Sequence, residues 1–302
     1  MDESPSKWQR AAGCLAGSFL FKGTAALWER NEKDWYLPLN KFQKARVGIY
    51  LVLRDYARGL FPPQFPDQAK AHENERLAFS RIPGLAPGDV LRDAARKPFW
   101  NAPAADKLLA DFAFLLVWME RLGIHAPARV IEIGCGPGWM SEFFAMEGYD
   151  TLGTSIAPCD LPIWEGRVNA CKARGTGARL RFAVCEMENV DKLAEAQGKF
   201  DCCVVYEALH HAHDWRATVK AVANVLKPGG WFLVAAEPNV LHTVVSYRVA
   251  LLTHTHEVGI SRPQFIAELQ GSGFDEIKLL KNKFDDHVSP HWIAARKTSK
   301  PV

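Results

Sequence analysis

A chain of 302 residues, 48% hydrophobic and 24% charged, can bury a sizeable core as one large domain or two modest ones. A formal net charge of +3 gives no reason to expect a nucleic-acid or membrane partner, which usually shows a concentrated basic face. Seven cysteines (Cys14, Cys135, Cys159, Cys171, Cys185, Cys202 and Cys203) form no C-x-x-C pair, and several sit in apolar runs as small hydrophobes, so a reducing cytoplasm is expected.

The chain opens on an acidic "MDESPSKWQR", without the basic start of a signal peptide, and "AAGCLAGSFLF" is too short to span a bilayer. Residues 1–100 show no strand–helix alternation and hold Trp8, Trp28, Trp35 and Trp100. "LNKFQKARVGIYLVLRDYARGLF" carries apolar residues at helical spacing, and "FPPQFPD" breaks the chain after it. Residues 1–103 are therefore expected to form a mainly helical extension, ahead of a second domain over 104–302. "APAADKLLADFAFLLVWMERLG" predicts an apolar helix leading into the first strand.

From residue 129 the rhythm is that of βαβ units. "RVIEIG", "DTLGTSI", "RLRFAVC", "FDCCVVY" and "GWFLVAAEP" read as strands. "GWMSEFFAMEG", "IWEGRVNACKARG", "NVDKLAEAQG" and "DWRATVKAVANVLKPGG" read as the helices between them, with "LKPGG" as a helix stop. This pattern predicts an α/β fold with a doubly wound, mostly parallel sheet and helices on both faces. "VLHTVVSYRVALL" and "SRPQFIAELQGSGF" predict two further helices. "DEIKLLK" and "HWIAARK", joined by a polar "NKFDDHVSP", predict an antiparallel pair closing the sheet edge. "RKTSK" reads as a solvated tail.

Ligands of such sheets bind beyond the carboxyl ends of the strands. Gly134, Gly136 and Gly138 fall in the turn after the first strand, where bare backbone allows close approach and positive φ. Their spacing is not the dinucleotide fingerprint, and Pro137 removes an amide that a pyrophosphate would use. Glu132, two residues upstream, favours a cationic ligand over an anionic one.

"VIEIGCGPGW" resembles motif I of the class I S-adenosylmethionine-dependent methyltransferases. "RFAVCEMENV", "KFDCCVVYEALHHAHD" and "VLKPGGWFLVAAEP" resemble that family's later strand segments, in order, across residues 104–297. The resemblance implies a seven-stranded sheet, S-adenosyl-L-methionine as cofactor, and methyl transfer to a small-molecule, metabolite or glycan acceptor. It places Glu132 toward the methionyl ammonium, with Gly134, Cys135, Gly136, Gly138 and Trp139 around the cofactor. Glu186 and Met187 fall at the adenine, and Tyr206 and Trp139 read as pocket walls. At the end of the second strand the family usually carries a ribose-binding acid, but this chain has Ser155, followed by Ile156. A hydroxyl cannot grip a diol as a carboxylate does, and Asp150 and Asp160 lie at the wrong ends of the segment. A non-catalytic cofactor-binding protein is the alternative this raises; an NAD-linked oxidoreductase is a more distant one.

"EALHHAHD" gathers Glu207, His210, His211, His213 and Asp214. The cluster is open to three readings: a metal site, a general base at His210 or His211, or a packed loop-to-helix junction. No metal is expected. "HTHEVGISR" adds His256 as a second candidate base, with His254 and Glu257 nearby.

Overall fold

A computed structural model of the chain describes residues 5–35, 37–62, 67–175, 180–194, 196–281 and 289–299. The chain break expected at "FPPQFPD" and the polar joiner after residue 281 fall largely outside these described residues. Eleven α-helices are described: α1 (Lys7–Ala16), α2 (Thr24–Lys33), α3 (Lys41–Ala57), α4 (Gln68–Leu77), α5 (Pro87–Arg96), α6 (Ala102–Arg121), α7 (Trp139–Met146), α8 (Leu161–Ala173), α9 (Trp215–Val225), α10 (Leu241–Thr253) and α11 (Arg262–Gly271). The strands are β1 (Arg129–Ile133), β2 (Asp150–Ser155), β3 (Leu180–Val184), β4 (Phe200–Tyr206), β5 (Leu226–Glu237), β6 (Phe274–Leu279) and β7 (His291–Lys297). The chain divides into two compact units: Met1–Pro87 with Val240–Val258, and Gly88–Asn239 with Gly259–Val302.

The second unit is one seven-stranded sheet in the order β3-β2-β1-β4-β5-β7-β6. All neighbours are parallel except β7, which runs antiparallel to both β5 and β6. Side chains alternate across a strand, so each apolar run feeds two cores. Ile131, Ile133, Cys203, Val205, Phe232 and Val234 face one layer, with Val219 and Val222 of α9 and Phe265 and Leu269 of α11. Val130, Cys202, Val204, Leu233 and Ala235 face the other, with Leu108, Phe112 and Leu115 of α6 and Met140 and Phe144 of α7. The adjacent Cys202 and Cys203 thus serve opposite faces.

Two local expectations are corrected. "NVDKLAEAQG" forms only a short 3-10 stretch, Met187–Lys192, because Val190 and Ala196 must both turn inward onto the core before β4 begins. "LKPGG" does stop the helix, since α9 ends at Val225 with Leu226 as its C-cap, but its residues are strand rather than turn, because β5 already starts at Leu226. Pairing jumps from Phe200↔Leu226 to Cys202↔Trp231, so Pro228 and the glycine pair sit in an irregularity where a missing amide does no harm.

The first unit packs α3 against α10 around Trp28, Val47, Leu51, Tyr247 and Ala250. Gly48 lets the helices touch: a Cβ there would stand 2.7 Å from the Val244 carbonyl oxygen. Tyr247 donates to the buried Asp55 at 3.0 Å, and Arg248 donates to Asn31 at 2.6 Å. Residues 240–258 therefore belong with the N-terminal helices rather than with the sheet that flanks them in the chain.

Candidate functional site

The loops after β1, β2, β3, β4 and β5 meet at the carboxyl edge of the parallel strands. Gly134, Gly136 and Gly138 have φ of +67°, +50° and +72°, the left-handed region that favours glycine. Their surroundings differ. A Cβ on Gly134 would lie 2.6 Å from that of Ala208, and one on Gly138 would lie 2.4 Å from the Phe182 ring. A Cβ on Gly136 would meet nothing within 4 Å. The outer glycines are packed against protein, whereas the middle one faces open space.

Side chains absent from the expected set hold this loop rigid. Trp164 donates to the Gly136 carbonyl at 2.8 Å while its ring stacks on Phe182, and Arg167 donates to the Pro137 carbonyl at 2.6 Å. Arg167 also pairs with Glu142 of α7 and donates to the Lys97 carbonyl. Trp164 and Arg167 stand three apart on α8 and so share a face. That spacing was visible in "IWEGRVNACKARG", but nothing local showed what the face would meet.

Glu132 is buried and accepts from the Ser141 hydroxyl at the first turn of α7. It ties β1 to α7. Burial pushes its carboxyl up to about 7, against the opposing hydrogen bonds of Ser141 and the charge of Arg167. Cys135 donates its backbone N–H to Thr154, and Trp139 meets Tyr206 edge-on at 6.1 Å.

Ser155 ends β2, with Ile156 partly buried after it. Five residues on, the chain turns back and places the buried Asp160 carboxylate 3.5 Å from the Ser155 hydroxyl. An acid that the sequence puts at the wrong end of the segment is thereby brought to the strand end. Burial raises its carboxyl to about 6, while Ser155, Lys97 and Arg167 pull the other way. Glu186 precedes the 3-10 stretch that begins at Met187, whose sulfur lies 3.3 Å from the Cβ position of Gly134.

After β4, Glu207 takes φ +46°, a strained value for a side-chain-bearing residue, and its carboxylate pairs with Lys107 at 2.8 Å. Lys107 also donates to the Tyr206 hydroxyl at 2.7 Å. The next turn is organised by a carboxylate that the sequence reading did not single out. Glu237, wholly buried at the end of β5, accepts the backbone N–H groups of Ala208, Leu209 and His210 at 3.1, 3.0 and 2.7 Å. It also meets His210 Nδ1 at 2.7 Å. Burial opposes its charge, but its pairing with His210 and these hydrogen bonds outweigh it and hold the carboxyl below its ordinary range. A ring nitrogen facing a carboxylate carries the proton, which makes Nε2 the acceptor of the neutral ring.

The other members of the polar cluster are placed differently. His211 is half-buried with its ring 4.1 Å from that of His210. Asp214 is spent as the N-cap of α9, accepting from Arg216 and Ala217. His256 belongs to the first unit, where its backbone N–H donates to Glu75, and His242 there pairs with Glu257 at 2.9 Å. The exposed His254 has φ +58°.

Residues 106–279, more than half the chain, match the sequence family described as methyltransferase domain. The chain belongs to the class I S-adenosylmethionine-dependent methyltransferases. A ubiquinone biosynthesis O-methyltransferase of Bordetella avium is 28% identical over 170 residues, covering 53% of this chain and 68% of that protein. Its namesake from Xanthomonas axonopodis pv. citri is 35% identical over 105 residues, covering 35% of this chain and 41% of that protein. The chain thus spans about two thirds of the length of the Bordetella avium relative and less than half of that of the Xanthomonas one. The CurJ carbon methyltransferase shares the fold, with a TM-score of 0.53 and 15% identity over 92% of this chain and 71% of that one.

S-adenosylmethionine is the cofactor of this methyltransferase, and the residues present fit it. The open side of Gly136 leaves room for close approach, and a carboxylate, that of Asp160, stands 3.5 Å from the Ser155 hydroxyl at the strand end.

Proposed function

We propose that this protein methylates a hydroxyl or an acidic carbon of a small organic acceptor, with His210 as general base and Glu237 as the group that positions it. The observation that supports this is the buried Glu237–His210 pair. Ala208, two residues before His210, packs against Gly134, so the pair stands directly beside the glycine loop.

Residues 134–138, Ser155 with Asp160, and Glu186 with Met187 would hold the cofactor. When bound, S-adenosylmethionine supplies a methyl group on a sulfonium that is already strongly electrophilic. The protein is then left with alignment, exclusion of water, and removal of the acceptor's proton. Glu237 fixes the His210 ring by holding Nδ1 and the backbone N–H groups of Ala208, Leu209 and His210 itself. Nε2 accepts the proton, and Glu237 stabilises the resulting imidazolium. The named relatives are O-methyltransferases, which supports a small acceptor with an acidic hydroxyl. The N-terminal helices are assigned to acceptor recognition, and a reducing cytoplasm suits the free cysteines.

The test combines calorimetry with methyl transfer. S-adenosylmethionine and its demethylated product should bind, and NAD should not. Labelled methyl should enter a small-molecule fraction of cell extract, and His210→Ala should reduce that transfer about 100-fold or more while cofactor affinity holds. His211→Ala and His256→Ala are the comparators. A larger loss at either would move the base there, and NAD binding without S-adenosylmethionine binding would overturn the reading.

A further inference from the structure

Charge is unevenly spread along the first unit. Residues 5–28 and 39–53 hold six bases, Lys7, Arg10, Lys22, Lys41, Lys44 and Arg46, and no acid; Asp2 and Glu3 lie upstream, outside the described residues. The whole chain has 37 bases and 34 acids, so without these six it holds 31 against 34, a net −3. A mild overall charge conceals a basic pair of segments on an acidic remainder.

Those segments are α1, the 3-10 turn after it, the first half of α2 and most of α3, and α1 and the turn pack on α3. Gly59 lies near Gln9, Gly13 meets Ala57, the Phe21 ring meets Tyr50, and Arg46 donates to the Leu20 carbonyl. The helices are therefore antiparallel. Helix α1 exposes Trp8 (73%) and Leu15, seven residues apart and so on one side. Helix α3 exposes Phe42 (74%), Ile49 and Tyr56, again seven apart, away from its buried Val47, Gly48 and Leu51. Given these contacts and the right-handed winding, both stripes fall on the same side of the pair. Phe19 (83%) and Leu20 extend the surface along the turn. Lys7 adjoins Trp8, Lys41 adjoins Phe42, and Lys22 follows Leu20 closely in the chain.

Exposed apolar groups of this size call for a partner. We infer that this face docks on an anionic bilayer surface, its aromatic and aliphatic side chains entering the headgroup region and Lys7, Lys22 and Lys41 beside them meeting lipid phosphates. A second copy fits poorly, since it would set these lysines against their own counterparts. Single-stranded nucleic acid would use the aromatic faces but leaves Leu15, Leu20 and Ile49 without a role. Contact is peripheral, because among the described residues no helix is long and apolar enough to cross a membrane.

The test is flotation of the full-length protein with vesicles of phosphatidylcholine alone, or of phosphatidylcholine with about one third phosphatidylglycerol. It needs no cofactor or acceptor, so its outcome is independent of the methyl-transfer reading. The protein should float with the anionic vesicles only, and high salt should release it. Lys7→Glu with Lys41→Glu, and separately Trp8→Ser with Phe42→Ser, should each lower partitioning at least about tenfold. All four sites are exposed, so circular dichroism and S-adenosylhomocysteine affinity should match the parent. Absence of flotation, flotation unchanged in both double variants, or a concentration-dependent dimer abolished by Trp8→Ser with Phe42→Ser would overturn the inference.

Discussion

Replacing Glu237 with Gln keeps the shape of the side chain and removes half of its capacity to accept. The two carboxylate oxygens take four donors, three backbone N–H groups and His210 Nδ1. An amide offers one oxygen and one NH2, so two buried donors would face another donor. At about 1–3 kcal/mol for each orphaned buried group, the loss is about 2–6 kcal/mol. That is a large part of the roughly 5–15 kcal/mol that holds an ordinary domain folded. Scanning calorimetry should show Tm falling by roughly 5–20 °C. The pH dependence sharpens the test. The folded carboxyl titrates below its ordinary 4.5, so its contribution is complete above that pH and drains away as pH falls through the folded value. The gap between parent and Glu237→Gln should therefore close in acid. Turnover should drop with His210 no longer fixed, while cofactor affinity changes little. A variant with unchanged Tm and unchanged turnover at neutral pH would refute the account of this turn.

Gly136→Ala should fold with a loss of about 1–2 kcal/mol from its positive φ, yet bind S-adenosylmethionine at least tenfold more weakly by calorimetry. Gly138→Ala should instead destabilise the fold, because its Cβ meets the Phe182 ring; equal melting of the two variants would contradict this contrast. Asp160→Asn should weaken cofactor binding about tenfold or more. In the parent, affinity should rise with pH through about 6 as the carboxyl ionises, and the variant should lose that rise. Glu132 has a folded value near 7, above its ordinary 4.5, so its ionisation costs stability increasingly as pH rises through that window, by about 3 kcal/mol at pH 8. Glu132→Gln should therefore gain on the parent between pH 5 and pH 8 in chemical denaturation, and a constant difference would rule out this titration.

The strands and the glycine loop were legible because their causes are local. The continuous apolar run in "FDCCVVY" requires two buried faces, and three glycines in nine residues require backbone that other residues resist. The same local reasoning found the helix end at "LKPGG" but not the strand start there, since a proline and two glycines end a helix and also suit an irregular strand start. Helical spacing in "NVDKLAEAQG" likewise gave no sign that the core would claim Val190 and Ala196 in a tighter turn. The acids show the boundary most clearly. Glu132 was visible as a motif residue, but its bond to Ser141 depends on how α7 packs. Asp160 looked too far along the chain from Ser155 until the turn after β2 folded it back. Glu237 lies twenty-seven residues from His210, and only the parallel pairing of β4 with β5 brings their ends together. Periodicity and φ restrictions act between neighbours in the chain and can be read from sequence. Which carboxylate meets which histidine depends on strand order and helix packing, and only the tertiary structure decides it.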